Sequence, residues 1–209
     1  MNITETNIAE IHGWISIVVA YLIGSIPFGY LLVKLTTGKD VRASGSGNIG
    51  ATNVLRTTGR AVAVATLLLD IGKGALAVWH ADFATHGDET WMSAAALAVM
   101  LGHSYPVFLK FKGGKAVASF IGAFLYLTPL PMLATLVLFV IIVVATRHIS
   151  AASVVCAGLF PFGVWMILHP PAPEWIAAFL AGAFIVVRHR ANLERLRAGN
   201  ESVFRWTRR

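Results

Sequence analysis

Three polar stretches interrupt an otherwise apolar chain, and each carries side chains suited to holding an anion. The first, Ser44-Gly45-Ser46-Gly47-Asn48-Ile49-Gly50-Ala51-Thr52-Asn53, is followed by Arg56. Its glycines let backbone approach a ligand closely, its hydroxyls and amides offer hydrogen bonds, and the guanidinium can clamp an anion. The same composition also suits an ordinary turn at a helix start, with Thr52 or Asn53 as the cap. The second stretch runs from Gly102-His103-Ser104-Tyr105-Pro106 to Phe111-Lys112-Gly113-Gly114-Lys115-Ala116-Val117-Ala118-Ser119. Two glycines and a lysine just before an apolar run bring backbone N–H groups, the positive end of a helix dipole and an ammonium to one point. It is not a Walker A sequence, because the four-residue spacer between glycines is absent. The lysines alone would serve equally as interfacial anchors, a role that does not account for Gly113-Gly114. The third stretch is Arg188-His189-Arg190-Ala191-Asn192-Leu193-Glu194-Arg195-Leu196, ending at Gly199-Asn200-Glu201. His189 and Asn192, three apart, share one helical face. On the plain reading the histidine is a hydrogen-bonded structural group and the arginines are an anchor.

The elements that must position these stretches are membrane spans. Of 209 residues, 56% are hydrophobic and 13% charged, about half the charged fraction of an ordinary soluble domain. Spans of about 17 to 25 apolar residues are expected near 14–35, 61–81, 91–110, 150–168 and 174–188. Shorter apolar segments lie near 116–129 and 131–146, separated by Thr128-Pro129-Leu130-Pro131, and either cross fully or form a re-entrant pair. The fold class is therefore all-α, a polytopic transmembrane helical bundle of about seven spans, treated as a single domain over 1–209.

Charge orients the bundle. Every Lys and Arg except Lys73 falls at alternate connections counted from the first loop, or after the last span from Arg188 to Arg209; the other connections carry Glu5, Glu10, Asp82, Asp88, Glu89 and Glu174. By the positive-inside rule the N-terminus lies outside and the C-terminus in the cytoplasm. All three polar stretches then face the cytoplasm. The N-terminus lacks the cationic start of a signal peptide and is read as a retained span. Clustered rather than face-aligned cations argue against nucleic acid despite a net charge of +7. The lone Cys156, within an apolar run, permits no intramolecular disulfide. Lys73 sits inside the second span three residues after Asp70. An intramembrane charge costs roughly 2.5 to 3.5 kcal/mol on insertion scales. The two residues form either a mutually neutralising structural pair or a support for a neighbouring polar loop.

Taken together and in order, SGNIGATN with Arg56, GHSYPVFLKFKGGKAVAS and HRANLERLRAGNE resemble the three cytoplasmic motifs of the acyl-phosphate-dependent glycerol-3-phosphate acyltransferases, the PlsY family. Gly24-Ser25-Ile26-Pro27-Phe28-Gly29 and Leu68-Leu69-Asp70-Ile71-Gly72-Lys73-Gly74 also look like that family, so the likeness runs from residue 22 to 201. The second motif departs from the family's GGKGVAT at Ala116, where a glycine is usual, and at Ser119, which keeps the hydroxyl of the usual threonine. If position 116 needs positive φ, the alanine would strain the loop by about 1 kcal/mol or more.

The resemblance implies transfer of a fatty acyl group from acyl phosphate to the 1-hydroxyl of glycerol 3-phosphate, releasing lysophosphatidic acid and phosphate at the cytoplasmic face of a bacterial inner membrane. It assigns Lys115, Arg56, Gly113 and Gly114 to phosphate binding, with Gly47, His103 and Lys112 among the binding residues. Ser46, Asn48, Thr52 and Asn53 orient the anhydride or stabilise its oxyanion; His189 and Asn192 orient the acceptor, helped by Ser153 or Ser150 beside Arg147. Glu201 braces the C-terminal segment. An activated anhydride needs positioning and charge neutralisation more than a strong nucleophile. The donor's own phosphate oxygen is the favoured proton acceptor, with His189 and His103 as the other candidates, and a covalent acyl-Ser46 is disfavoured. No metal, no other cofactor, no nucleic acid and no obligatory protein partner are expected; the partners are acyl phosphate, glycerol 3-phosphate and membrane lipid. A thioester-dependent enzyme commonly places a histidine and then an aspartate four residues on, and none of the seven histidines has Asp at that position. A small transporter would want polar groups near the midplane and an internal duplication, and neither is visible.

Overall fold

A proline at position 27 breaks the first apolar run. Its ring offers no N–H to continue the helical ladder, so in the computed structural model the expected single span over 14–35 is two helices, α1 (Ile3–Ser25) and α2 (Phe28–Thr37). The model describes residues 3–204, with side chains from Ile8 onward; Glu5, Arg205, Arg208 and Arg209 of the charge pattern lie outside the described side chains. Past α2 come a 3₁₀ turn (Val41–Ala43), the short α3 (Ala51–Thr57), α4 (Arg60–Thr85), α5 (Glu89–Ser104), a second 3₁₀ turn (Val107–Leu109) and α6 (Val117–Leu127). Then follow α7 (Pro129–Thr146), α8 (Ile149–Leu168), α9 (Ala172–Arg188) and α10 (Arg190–Arg197). Helix is the one regular structure of any length among the described residues, as expected where the surrounding medium cannot satisfy backbone polar groups.

Five helical stretches are long and apolar enough to cross a bilayer: Ile8–Thr37, Arg60–Thr85, Glu89–Leu109, Pro129–Thr146 and Ile149–Leu168. A sixth is counted if α9 and α10, bent by 55° at His189, form one span. The short segment expected at 116–129 is α6, of 11 residues. At 1.5 Å per residue it reaches about 16 Å, roughly half the hydrocarbon thickness. The protein is an integral membrane helical bundle.

Two compact units divide at Leu127/Thr128, at the proline-containing junction noted in the sequence. In the first unit, α1 packs on α5 and α4 on α6, and both pairs meet through glycine. A Cβ on Gly24 would run into the Val99 carbonyl, and one on Gly102 into that of Tyr21. Likewise Gly74 faces the carbonyl of Ser119, and Gly122 that of Ile71. Lipid is as apolar as leucine, so such helices gain little from apolar burial alone and associate where small residues let backbones close up. In the second unit α8 packs against α7 and α9, with Gly182 against the Ala157 carbonyl.

Replacing Gly122 by leucine places a side chain against backbone that cannot swing aside. We expect a loss of about 1–3 kcal/mol or more, read as a lower melting temperature in detergent, whereas leucine at Gly158, which faces open space, should leave melting nearly unchanged.

Candidate functional site

Asn53 organises the first polar stretch. Buried on α3, its amide nitrogen donates to the carbonyls of Val41 (3.2 Å), Ser44 (3.1 Å) and Asn48 (2.8 Å), while its Oδ1 accepts from the Ser46 N–H (2.8 Å). The chain winds round this side chain by taking positive φ at Gly45 (62°) and Gly47 (70°), where L side chains are strained. Asn53 is therefore a strut of the loop: every polar atom of its amide has a backbone partner. Asn48 caps the turn to Gly50 through Oδ1 (2.8 Å). Ser46 and Gly47 are exposed on the loop and Arg56 is exposed in the last turn of α3, on which Thr52 is half-buried. Ahead of the loop, Asp40 and Arg42 form a bidentate pair (2.7 Å), and Arg42 lies over the Tyr30 ring at 5.1 Å. The Arg42 guanidinium holds the Asp40 carboxyl below the usual carboxylate range.

The second stretch joins the first through the packing of its 3₁₀ turn. Leu109 is buried in one cluster with Val33, Val41, Ile49, Val54 and Ala63, so both glycine-rich loops rest on a shared apolar base. Within this loop the amides of Gly113 and Gly114 donate to the carbonyls of Ser104 (3.2 Å) and His103 (3.0 Å). These two hydrogen bonds close the loop. Glycine is required for room: a Cβ on Gly113 would meet the His103 carbonyl, and one on Gly114 the His103 imidazole. Past them Lys115 is half-buried, Lys112 is exposed, and Ala116 leads into α6. Ala116 is fully buried with φ of +61°, so the residue that departs from the motif does sit in the left-handed region.

Beneath this loop lies a buried ionic group. Lys73 Nζ is 2.8 Å from Asp70 Oδ1 and donates to the Ile26 carbonyl at 2.8 Å, with the Phe28 ring 5.6 Å away. The Pro27 break frees that carbonyl from its helical partner, and it accepts from Lys73 as well as from the Phe28 N–H (3.2 Å). His103 Nδ1 stands 3.5 Å from the same Asp70 oxygen. Sequence reasoning missed this His–Asp pair because 33 positions separate its members; an apolar run broken by Asp and Lys was the only trace. Of the two readings posed by the sequence, the neutralising pair is what the Asp70–Lys73 contact describes.

In the second unit Glu201 gathers three donors. Ser150 Oγ (2.9 Å) and Asn192 Nδ2 (2.7 Å) donate to Oε1, and Arg195 Nε (2.7 Å) to Oε2. Burial alone would raise the Glu201 carboxyl; the bonds from Asn192, Arg195 and Ser150 outweigh it and hold the group below its ordinary 4.5. The Phe204 N–H donates to the Arg147 carbonyl (2.7 Å), tying the following strand of chain to the start of α8. His189 is buried at the α9–α10 bend, and its Nδ1 donates to the Ile185 carbonyl (2.8 Å). In the neutral ring Nε2 is then the acceptor. Ser153 Oγ donates to the Ile149 carbonyl of its own helix (2.9 Å), so Ser150 rather than Ser153 is the serine linked to the Asn192 cluster.

The helical frame agrees with the comparisons. The family model described as glycerol-3-phosphate acyltransferase matches residues 14–199. This chain belongs to that family, the PlsY acyltransferases. A glycerol-3-phosphate acyltransferase of Geobacter sulfurreducens is 46% identical over 187 residues, covering 90% of this chain and 95% of the relative. One of Gluconobacter oxydans is 47% identical over 189 residues, covering 88% and 89%. A crystal structure of PlsY, an integral membrane glycerol 3-phosphate acyltransferase in its glycerol 3-phosphate form, superposes with a TM-score of 0.87 at 36% identity, covering 92% of this chain and 96% of that one. The lysophosphatidic acid form gives 0.85 at 34%.

Two outcomes test this geometry. Ala116→Gly relieves a left-handed alanine at the expense of added freedom in the unfolded chain, a net gain of roughly 0.5–1 kcal/mol that denaturation in detergent should register. For Glu201 the sign is that of a depressed carboxyl: its contribution is present above the ordinary value and is lost as pH falls from 4.5 through the folded value. Glu201→Gln should therefore melt lower than the parent at pH 7, with the gap closing as the pH is taken below 4.

Proposed function

We propose that the protein transfers a fatty acyl group from acyl phosphate to the 1-hydroxyl of glycerol 3-phosphate, giving 1-acylglycerol 3-phosphate and inorganic phosphate, at the cytoplasmic face of a bacterial inner membrane. The observation that carries the reading is the seating of two glycine-rich loops, one bearing Arg56 and the other Lys115, on one apolar base. The PlsY relatives crystallised with glycerol 3-phosphate and with lysophosphatidic acid support acceptor and product. The alternation of cations along the chain supports the cytoplasmic side.

In this reading Arg56 and Lys115 neutralise phosphate, aided by the N-terminus of α6. Ser46, Gly47, Asn48 and Thr52 line the first loop where the acyl carbonyl is held, and Lys112 adds positive charge. His103 takes part through the second loop. The family motif assigns His189 and Asn192, supported by Ser150, to orienting the acceptor hydroxyl. That hydroxyl oxygen attacks the acyl carbon, the carbon–oxygen bond to phosphate breaks, and the departing phosphate takes the hydroxyl proton. Phosphate is a good leaving group, so aligning the two reactants and neutralising charge on the way out lowers the barrier most. Neither a metal nor another cofactor is called for in this step.

Purified protein in liposomes should release phosphate only when acyl phosphate and glycerol 3-phosphate are both supplied, and acyl-CoA should not replace acyl phosphate. Turnover with acyl-CoA would move the donor assignment to thioesters, and solute flux without turnover would replace the enzyme by a transporter. His189→Ala should lower kcat/KM by roughly 10²-fold or more without removing a basic limb from the pH–rate profile; loss of that limb would make His189 the base.

A further inference from the structure

A charged pair in a helix interior needs more than mutual attraction, because desolvating both members costs more than a single contact returns unless other partners complete their shells. Lys73 has such partners: Asp70, the Ile26 carbonyl and the face of Phe28. Asp70 has, besides Lys73, the imidazole of His103. The side chains of Asp70, Lys73 and His103 are 3%, 2% and 4% exposed. With one carboxylate and one ammonium the group is neutral, and a second cation on His103 would leave an uncompensated buried charge. A neutral ring avoids that charge, and its Nδ1, 3.5 Å from the carboxylate oxygen, is then the nitrogen placed to carry the proton toward it. Its other edge lies against the Gly114 Cα, with Nε2 the atom nearest to where a Cβ would stand. Gly114 in turn returns its N–H to the His103 carbonyl at 3.0 Å, so imidazole and loop grip each other from both sides.

We propose that Asp70 is a positioning residue of the second glycine loop: it holds His103 as the Nδ1-protonated tautomer, and His103 so oriented sets where Gly114 and Lys115 stand. The inference rests on the reading of that loop as a phosphate site. The ion pair on α4 thereby reaches the loop without touching substrate. It also links two breaks in the helical frame, since Lys73 occupies the carbonyl freed at Pro27. At 3.5 Å the Asp70–His103 contact is longer than a good hydrogen bond.

Histidine-selective ¹⁵N labelling of the full chain in lipid nanodiscs, with His103 assigned by its loss in His103→Gln, reads the tautomer directly. A ring protonated at Nδ1 alone is expected in the parent; one protonated at Nε2 alone or at both nitrogens overturns the proposal before any Asp70 variant is made. In Asp70→Asn the Nε2 tautomer should appear, and the KM of one phosphate substrate, measured for each in turn, should rise about tenfold with kcat changed less than threefold. That rise should vanish in a His103→Gln background and be partly recovered by Asp70→Glu. Because Asp70→Asn leaves Lys73 uncompensated, Asp70→Asn/Lys73→Met is made beside it and should show the same KM defect. Equal KM rises with and without His103 would mean that Asp70 acts through the fold alone, and would overturn the proposal. Absence of parent turnover with acyl phosphate and glycerol 3-phosphate would instead defeat the assigned reaction, while the tautomer would still decide this one.

Discussion

The buried pair of Asp70 and Lys73 is the constraint around which the first unit is arranged. Each charge demands partners that hydrocarbon does not supply, and the partners found are backbone and side chains from elements that would otherwise be independent. Lys73 takes the Ile26 carbonyl at the Pro27 break, and Asp70 faces His103 at the end of α5. One ion pair on α4 thus meets the α1–α2 corner, α5 and, through His103, the loop that leads into α6.

Glycine does the complementary part of the work. Gly74 and Gly122 bring α4 and α6 together, and Gly24 and Gly102 do the same for α1 and α5. Close backbone approach keeps Asp70 and Lys73 away from lipid, and it brings the loops into register with the helices that carry them. Gly113 and Gly114 extend the same logic into the loop. Their N–H groups close the turn on His103 and Ser104. In this protein the paired glycines are a demand for space. Ala116 keeps a left-handed backbone with its methyl fully buried.

The two units solve the same local problem in different ways. In the first, a neutral amide, Asn53, satisfies a bare loop by bonding three carbonyls and one N–H. In the second, a carboxylate, Glu201, gathers Ser150, Asn192 and Arg195 and holds the segment after α10 against the start of α8. Both devices prepare polar side chains in place, so that little conformational entropy remains to be lost when a ligand is bound.

Helical class, membrane character and the positions of seven apolar segments were legible in the chain because they depend on composition and on local periodicity, which neighbours in sequence decide. The three polar motifs were legible for the same reason, since each is one short run. Proline at 27 marked a break, though one apolar stretch across it read as a single span. What the residues do within the motifs needed the fold. Asn53 and Asn48 look alike in sequence, but only Asn53 turns inward to become a strut. Gly114 and His103 look like separate features until packing sets one on the other. Tertiary structure alone brought Asp70 to His103, because the neighbours of a buried charge are chosen by distance in space. Sequence determined which residues could carry charge and flexibility, and the packing of helices through glycine decided which of them meet.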